Sequence, residues 1–137
     1  YLDGRSSNTN ITNTNFTSNT ALKNGGAIEC NATHVGIYNL IFDSNIAGEY
    51  GAALCREIGA TSGNGSHNLF KNNHAGIAGA ALAWMGVDNI HIIDYTFIDN
   101  TAGDSGGAIY IAEGSDNDII EKYKTISGEL GGYAYVW

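Results

Sequence analysis

The sequence predicts an all-β fold, a parallel β-helix of about five coils of 25–28 residues. Three observations carry that prediction. One template recurs four times, as Phe16-Thr17-Ser18-Asn19-Thr20-Ala21 with Gly25-Gly26-Ala27-Ile28, and Phe42-Asp43-Ser44-Asn45-Ile46-Ala47 with Gly51-Ala52-Ala53-Leu54. The other copies are Phe70-Lys71-Asn72-Asn73-His74-Ala75 with Gly79-Ala80-Ala81-Leu82, and Phe97-Ile98-Asp99-Asn100-Thr101-Ala102 with Gly106-Gly107-Ala108-Ile109. The Phe steps are 26, 28 and 27, the Asn steps are the same, and Gly131-Gly132 lies 25 beyond Gly106. Second, apolar residues alternate, as in Val35-x-Ile37 and Ile90-x-Ile92, which is strand spacing. Third, Gly and Asn are abundant and helix formers scarce, so the corners are turns. The competing solenoid, the leucine-rich horseshoe, needs several Leu per repeat, and the chain has 7 Leu against 16 Ile and 16 Asn.

The elements of one coil follow in order. A strand through the Gly/Ala-Ala-Ile segment points Ile28, Leu54, Leu82 and Ile109 inward, with the small Gly26, Ala52, Ala80 and Gly107 two positions earlier. A variable loop comes next, then a strand carrying Val35/Ile37 or Ile90/Ile92. A corner at Asn39 or Asp94 leads into the strand that holds the Phe. Three short strands per turn are expected, and five rungs give a stack of about 24 Å at about 4.8 Å per rung. Asn19, Asn45, Asn73 and Asn100 fall at one corner, where Asn tolerates the left-handed conformation and stacked amides hydrogen-bond along the column. Phe16, Phe42, Phe70 and Phe97 form a second column of stacked rings in the core.

The pairing of GGAI-type and FxxN tetrapeptides resembles the repeats of the polymorphic outer-membrane adhesins of chlamydiae, and of the large adhesin-like surface proteins of methanogenic archaea. Gly25 and Gly106 open the GGAI form, Gly51 and Gly79 open GAAL variants, and all four FxxN copies are intact. The fifth copy departs, with Ile126-Ser127-Gly128-Glu129 where FxxN would fall and no aliphatic in Gly132-Tyr133-Ala134. The resemblance implies a right-handed parallel β-helix displayed outside the cell. It specifies the fold far more than the partner.

The 137 residues are one domain's worth, 1–137 as a single β-helix. The chain starts and stops mid-repeat without covering segments, so it reads as a piece of a longer repeat protein. With 14 acidic and 6 basic residues the net charge is −8, which opposes nucleic acid and anionic membrane surfaces as partners. No apolar run is long enough to span a bilayer, so no membrane insertion by this segment is expected. Cys30 is five residues after its corner Gly and Cys55 four after its own, so alternation points them to opposite faces and two free thiols are expected. Sequons stand at Asn10, Asn15, Asn31 and Asn64; Asn15, beside the Phe column, is expected to be poorly accessible.

Each candidate for chemistry competes with a plainer reading as solvated surface. Asp94 and Asp99 lie on adjacent segments of one coil and Asp43 aligns with Ile98, so no acidic column of the kind a glycosidase or lyase needs is formed. Glu113, Asp116, Asp118 and Glu121, followed by Lys122 and Lys124, are expected to form a solvated acidic loop without calcium-repeat spacing, with a weak divalent-ion site as the alternative. His34, His67, His74 and His91 occupy different repeat positions, with no paired spacing for zinc. Arg56 aligns with the inward Cys30, Trp84 and Ile111. An unpaired buried guanidinium is costly, so the strand is expected to bulge after Cys55, turning Arg56 out, or to end there. Gly59 to Ser66 is the longest insertion and the expected recognition element. Tyr50, Trp84, Tyr95, Tyr110, Tyr133, Tyr135 and Trp137 outnumber what a small core needs; Trp84 is expected inside, Tyr110 outside, and the surplus exposed for contact with a sugar or a protein.

No catalytic, cofactor-binding or metal residue is assigned. The expected function is a non-enzymatic adhesin module, extracellular at the cell surface, whose partner is a glycan or protein of a host or neighbouring cell. The alternatives are a fragment of a carbohydrate-active β-helix enzyme, a lyase or hydrolase, and a structural spacer of an envelope protein.

Overall fold

The computed structural model describes residues 1–112, 114–122, 124–126 and 133–135, with backbone alone for the strand residues 125, 126 and 133–135. Every ladder among them is parallel, and each strand pairs with the equivalent strand one coil away. The chain therefore winds as a solenoid of about four turns. Each coil has four strands rather than the expected three. The isoleucine sheet stacks Asn10–Thr12, Gly36–Tyr38, Asn64–Ser66, His91–Ile93 and Ile119–Glu121. The phenylalanine sheet stacks Asn15–Thr17, Ile41–Asp43, Leu69–Lys71, Thr96–Ile98 and Lys124–Ile126. The additional alanine sheet consists of the two-residue strands Thr20–Ala21, Ile46–Ala47, His74–Ala75 and Thr101–Ala102. The glycine-corner sheet holds Ile28–Cys30, Leu54–Arg56, Leu82–Trp84, Ile109–Ile111 and Tyr133–Tyr135.

The corners are set by residues in the left-handed region. Asn13, Asn39, His67, Asp94 and Lys122 turn the chain between the isoleucine and phenylalanine strands, all with positive φ. At the next corner the left-handed residue is Ser18, Ser44, Asn72 or Asp99, one position before the repeated Asn. The expected left-handed Asn is thus displaced by one, and the Asn side chain is freed for the interior. There each Nδ2 donates to the Oδ1 one coil on, Asn19 to Asn45 at 2.9 Å, Asn45 to Asn73 at 2.9 Å and Asn73 to Asn100 at 2.8 Å. The same Oδ1 accepts the backbone N–H of the Asn below, and Nδ2 of Asn45, Asn73 and Asn100 also donates to the carbonyls of Phe16, Phe42 and Phe70. A polar column can be buried because its amides are satisfied along its length.

Phe16, Phe42, Phe70 and Phe97 stack with centroids 5.0, 4.8 and 5.3 Å apart and planes within 20°. In register, the fifth residue of this column is Thr125, so Ile126 aligns with Ile98 rather than with a Phe. The Phe rings join Ile28, Ile37, Leu54, Leu82, Ile90, Ile92 and Ile109 in one core. Ala53 and Leu54 both face it, although adjacent, because Gly51–Ala53 is a turn and not yet strand. Ala52 and Ala80 pack elsewhere, with Ala47, Ala75 and Ala102 in a small second cluster. Here the backbones are very close: a Cβ on Gly76 would overlap the Gly48 carbonyl, so only Gly fits.

Arg56 corrects the expectation that it turns outward or ends its strand. The strand does not bulge: Arg56 pairs with Cys30 and Trp84 and its side chain is buried. Space for it comes from the edge of the isoleucine sheet, where Gly63 interrupts a column otherwise filled by Val35 and Ile90. A Cβ at Gly63 would meet Arg56 Nη1 at 2.5 Å. The guanidinium donates through Nη2 to the Val35 carbonyl at 3.1 Å, while Nη1 has no partner among the described residues. Tyr95 follows the same logic, its hydroxyl lying over Gly65 in the Ile37/Ile92 column, so it is core and not an exposed contact aromatic.

Candidate functional site

The outer face of the glycine-corner sheet carries the most built surface feature. Register places Glu29, Cys55, Ala83 and Tyr110 in one outward column. The corner glycines curl back over this column: at Gly51, φ is +60° and a Cβ would stand 2.8 Å from Cys55 Cα and Cβ. Cys55 is therefore buried although it points away from the core. Tyr50 precedes that glycine, and its ring stacks on Tyr110 at 5.7 Å and 30°. The small Ala83, between Cys55 and Tyr110 in the column, leaves the space in which rings from different coils meet.

The opposite wall is the start of the loop after Arg56. Glu57 N–H donates to the Cys30 carbonyl at 2.8 Å, and Ala60 N–H closes a turn onto the Glu57 carbonyl at 2.9 Å, leaving Ile58 80% exposed at the tip. Asn24 Nδ2 donates to the Glu57 carboxylate at 3.1 Å, and Met85 continues the same file one coil on, its N–H bonded to the Arg56 carbonyl. Asn24, Tyr50, Glu57, Ile58 and Met85 line a groove of about 240 Å³. Glu29 adjoins it. Partial burial, then a hydrogen bond to Glu57 and the charge of Glu57, push the Glu29 carboxyl above its usual value. The groove thus combines an aromatic ring, a thioether, an exposed aliphatic and the Glu57 carboxyl. It suits a ligand with an apolar body and a polar or charged head.

The residues singled out from the sequence fall elsewhere. Asp94 and Asp99 sit at the two left-handed corners bounding Thr96–Ile98, at opposite ends of one strand. Asp43 is engaged by Lys71 at 3.0 Å, and hydrogen bonds from Lys71, Ser44 and Asn72 hold it below the usual carboxylate range. In the acidic loop, Asp116 N–H donates to Asp88 and Ile90 N–H donates to Asp118, whereas Glu113 lies outside the described residues. The four His are exposed, in keeping with their scattered repeat positions; His67 faces Asp94 at 3.4 Å and His91 faces Glu121 at 3.7 Å. Cys30 and Cys55 are free and buried. Most of the Gly59 to Ser66 insertion is absorbed into the coil, Ala60, Gly63 and Gly65 being buried and Asn64–Ser66 a strand, so only its first residues project. Asn15 and Asn64 are exposed, whereas Asn31 is half-buried; the expected inaccessibility of Asn15 does not hold. The side chains of Tyr133, Tyr135 and Trp137 lie outside the described residues.

The groove is hidden in the sequence because its residues belong to no repeated motif. The offset between Cys30 and Cys55 is the available signal, since it sets Glu29 beneath Cys55 and brings Glu57 one rung above Asn31.

The repeat of the Chlamydia polymorphic membrane protein (Chlamydia_PMP) matches residues 13–31 and 94–112. Each match runs from the left-handed corner through the phenylalanine and alanine strands to the end of the glycine-corner strand, and together they cover well under half of the chain. No curated protein matches. No solved structure matches.

Proposed function

We propose that this chain is a module of a cell-surface, adhesin-like protein that presents side-chain grooves along a repeat solenoid for contact with a glycan or protein of another cell. The observation that carries the reading is the coincidence of two matches to the polymorphic membrane protein repeat with the Phe and Asn columns that build the coil. The acidic surface fits display in solvent, since a net charge of −8 favours solubility. The test has two arms. Antibodies raised against the chain should label intact cells of its source, and the purified chain should bind saturably to at least one member of a glycan and matrix-protein array. Polysaccharide turnover that disappears in Asp94→Asn or Asp99→Asn, without saturable binding, would replace this reading with an enzyme.

A further inference from the structure

We infer that the groove beside the glycine corner receives a cationic side chain, the lysine or arginine of a basic segment in a partner protein. The inference rests on reading the chain as a surface contact module and names the chemistry of one contact. Four features of the groove point to this occupant. Its volume, about 240 Å³, lies below the range of about 300–1,000 Å³ for sites that enclose a drug-sized molecule and is enough for one long side chain. Glu57 lines the groove, Glu29 stands one rung away on the same outward face, and no lysine or arginine is among the lining residues. Lys23, next in sequence to Asn24, is exposed and forms no ion pair among the described residues. The Glu57 carboxylate, with no lysine or arginine beside it in the lining, therefore gains from an incoming ammonium or guanidinium.

The hydrogen-bonding complement agrees. The amide donor of the lining, Asn24 Nδ2, is already given to Glu57, which leaves carboxylate acceptors for a ligand rich in donors. Around them, the half-buried Tyr50 ring, Met85 and the exposed Ile58 supply the apolar contact that a methylene stem covers, and a ring face attracts a cation. The overall charge of −8 steers basic partners toward the chain.

Met85 is the single methionine, so a labelled methionine methyl gives one resonance that reports on the groove. The chain is titrated with hexalysine, hexaglutamate and cellohexaose while that resonance is followed. Hexalysine should shift it saturably, and the other two should leave it in place. Glu57→Gln preserves the acceptor for Asn24 and removes one charge; it should weaken hexalysine binding about tenfold or more. Asp99→Asn removes one charge at a distant exposed corner and should change it less than about twofold. Tyr50→Ala should weaken it as well. The inference is overturned if hexalysine moves nothing, if Glu57→Gln and Asp99→Asn weaken binding alike, or if cellohexaose moves the resonance. Cell labelling and array binding are read separately: if they succeed and the titration fails, the groove assignment falls and the surface reading stands.

Discussion

Asn73→Ala is the perturbation that weighs the interior amide column. The Asn73 side chain takes part in four buried hydrogen bonds: its Oδ1 accepts from the Asn45 backbone and Asn45 Nδ2, and its Nδ2 donates to Phe42 O and Asn100 Oδ1. Truncation leaves the Asn45 N–H and the Phe42 carbonyl without these partners in the interior. A buried group left open costs about 1–3 kcal/mol, and each lost bond about 1 kcal/mol net. The two opened groups and the two other lost bonds sum to about 4–8 kcal/mol, a large part of the roughly 5–15 kcal/mol that holds an ordinary domain together. Asn19 is the internal control. It is exposed and its side chain makes one bond of the column, to Asn45 at 2.9 Å, so Asn19→Ala should cost about 1 kcal/mol or less. Equilibrium urea unfolding of the two variants and of Asn73→Leu, which fills the space without bonding, separates lost hydrogen bonds from lost volume. Equal losses for Asn19→Ala and Asn73→Ala, or a neutral Asn73→Leu, would refute the reasoning.

Three further outcomes are expected. Arg56 fills the space over Gly63 without an ion pair among the described residues, so Arg56→Met should be neutral or stabilising, whereas Arg56→Ala should cost about 2–4 kcal/mol; a strongly destabilised Arg56→Met would mean that the charge itself holds the fold. Cys30 and Cys55 should resist thiol reagents until the chain unfolds, because both are buried and burial, then the carboxylates of Glu57 and Glu29, push the Cys55 thiol up; rapid labelling of the native chain would contradict the register. Asp118 is pushed up to about 6, chiefly by burial, with Asp88 and Asp116 adding and the Ile90 N–H and Arg56 opposing. Its folded value lies above its unfolded one, so its contribution is present at low pH and lost as pH rises through about 6. Glu29 shifts in the same direction. The melting temperature should therefore be higher at pH 5 than at pH 7.5, with a smaller difference in Asp118→Asn; an unchanged difference in that variant would remove Asp118 as the cause.

What could be read in advance was what repeats. Phe16 and its equivalents recur with the coil, so spacing alone stacks them, and the same spacing stacks Asn19 with Asn45, Asn73 and Asn100. The offset of Cys30 from Cys55 was legible too, because alternation within a strand is local. The alanine strands were not, since two residues are too few for alternation to show. Arg56 and Tyr95 escaped because the vacancies they fill are Gly63 and Gly65, on a different sheet of the coil, and pairing a large residue with a distant glycine needs the coil geometry first. The groove escaped for a related reason: Asn24, Tyr50, Glu57 and Met85 come from three coils and meet only where Ala83 leaves room.

The four phenylalanines, the only ones in the chain, offer the most direct measurement of whether the coils stack. In protein labelled at Phe rings alone, nuclear Overhauser contacts should join Phe16 to Phe42, Phe42 to Phe70 and Phe70 to Phe97, whose centroids lie 4.8–5.3 Å apart. Contacts should be missing between Phe16 and Phe70 and between Phe42 and Phe97, which stand two coils apart, about 10 Å. Rings without mutual contacts, or contacts that skip a coil, would contradict the solenoid.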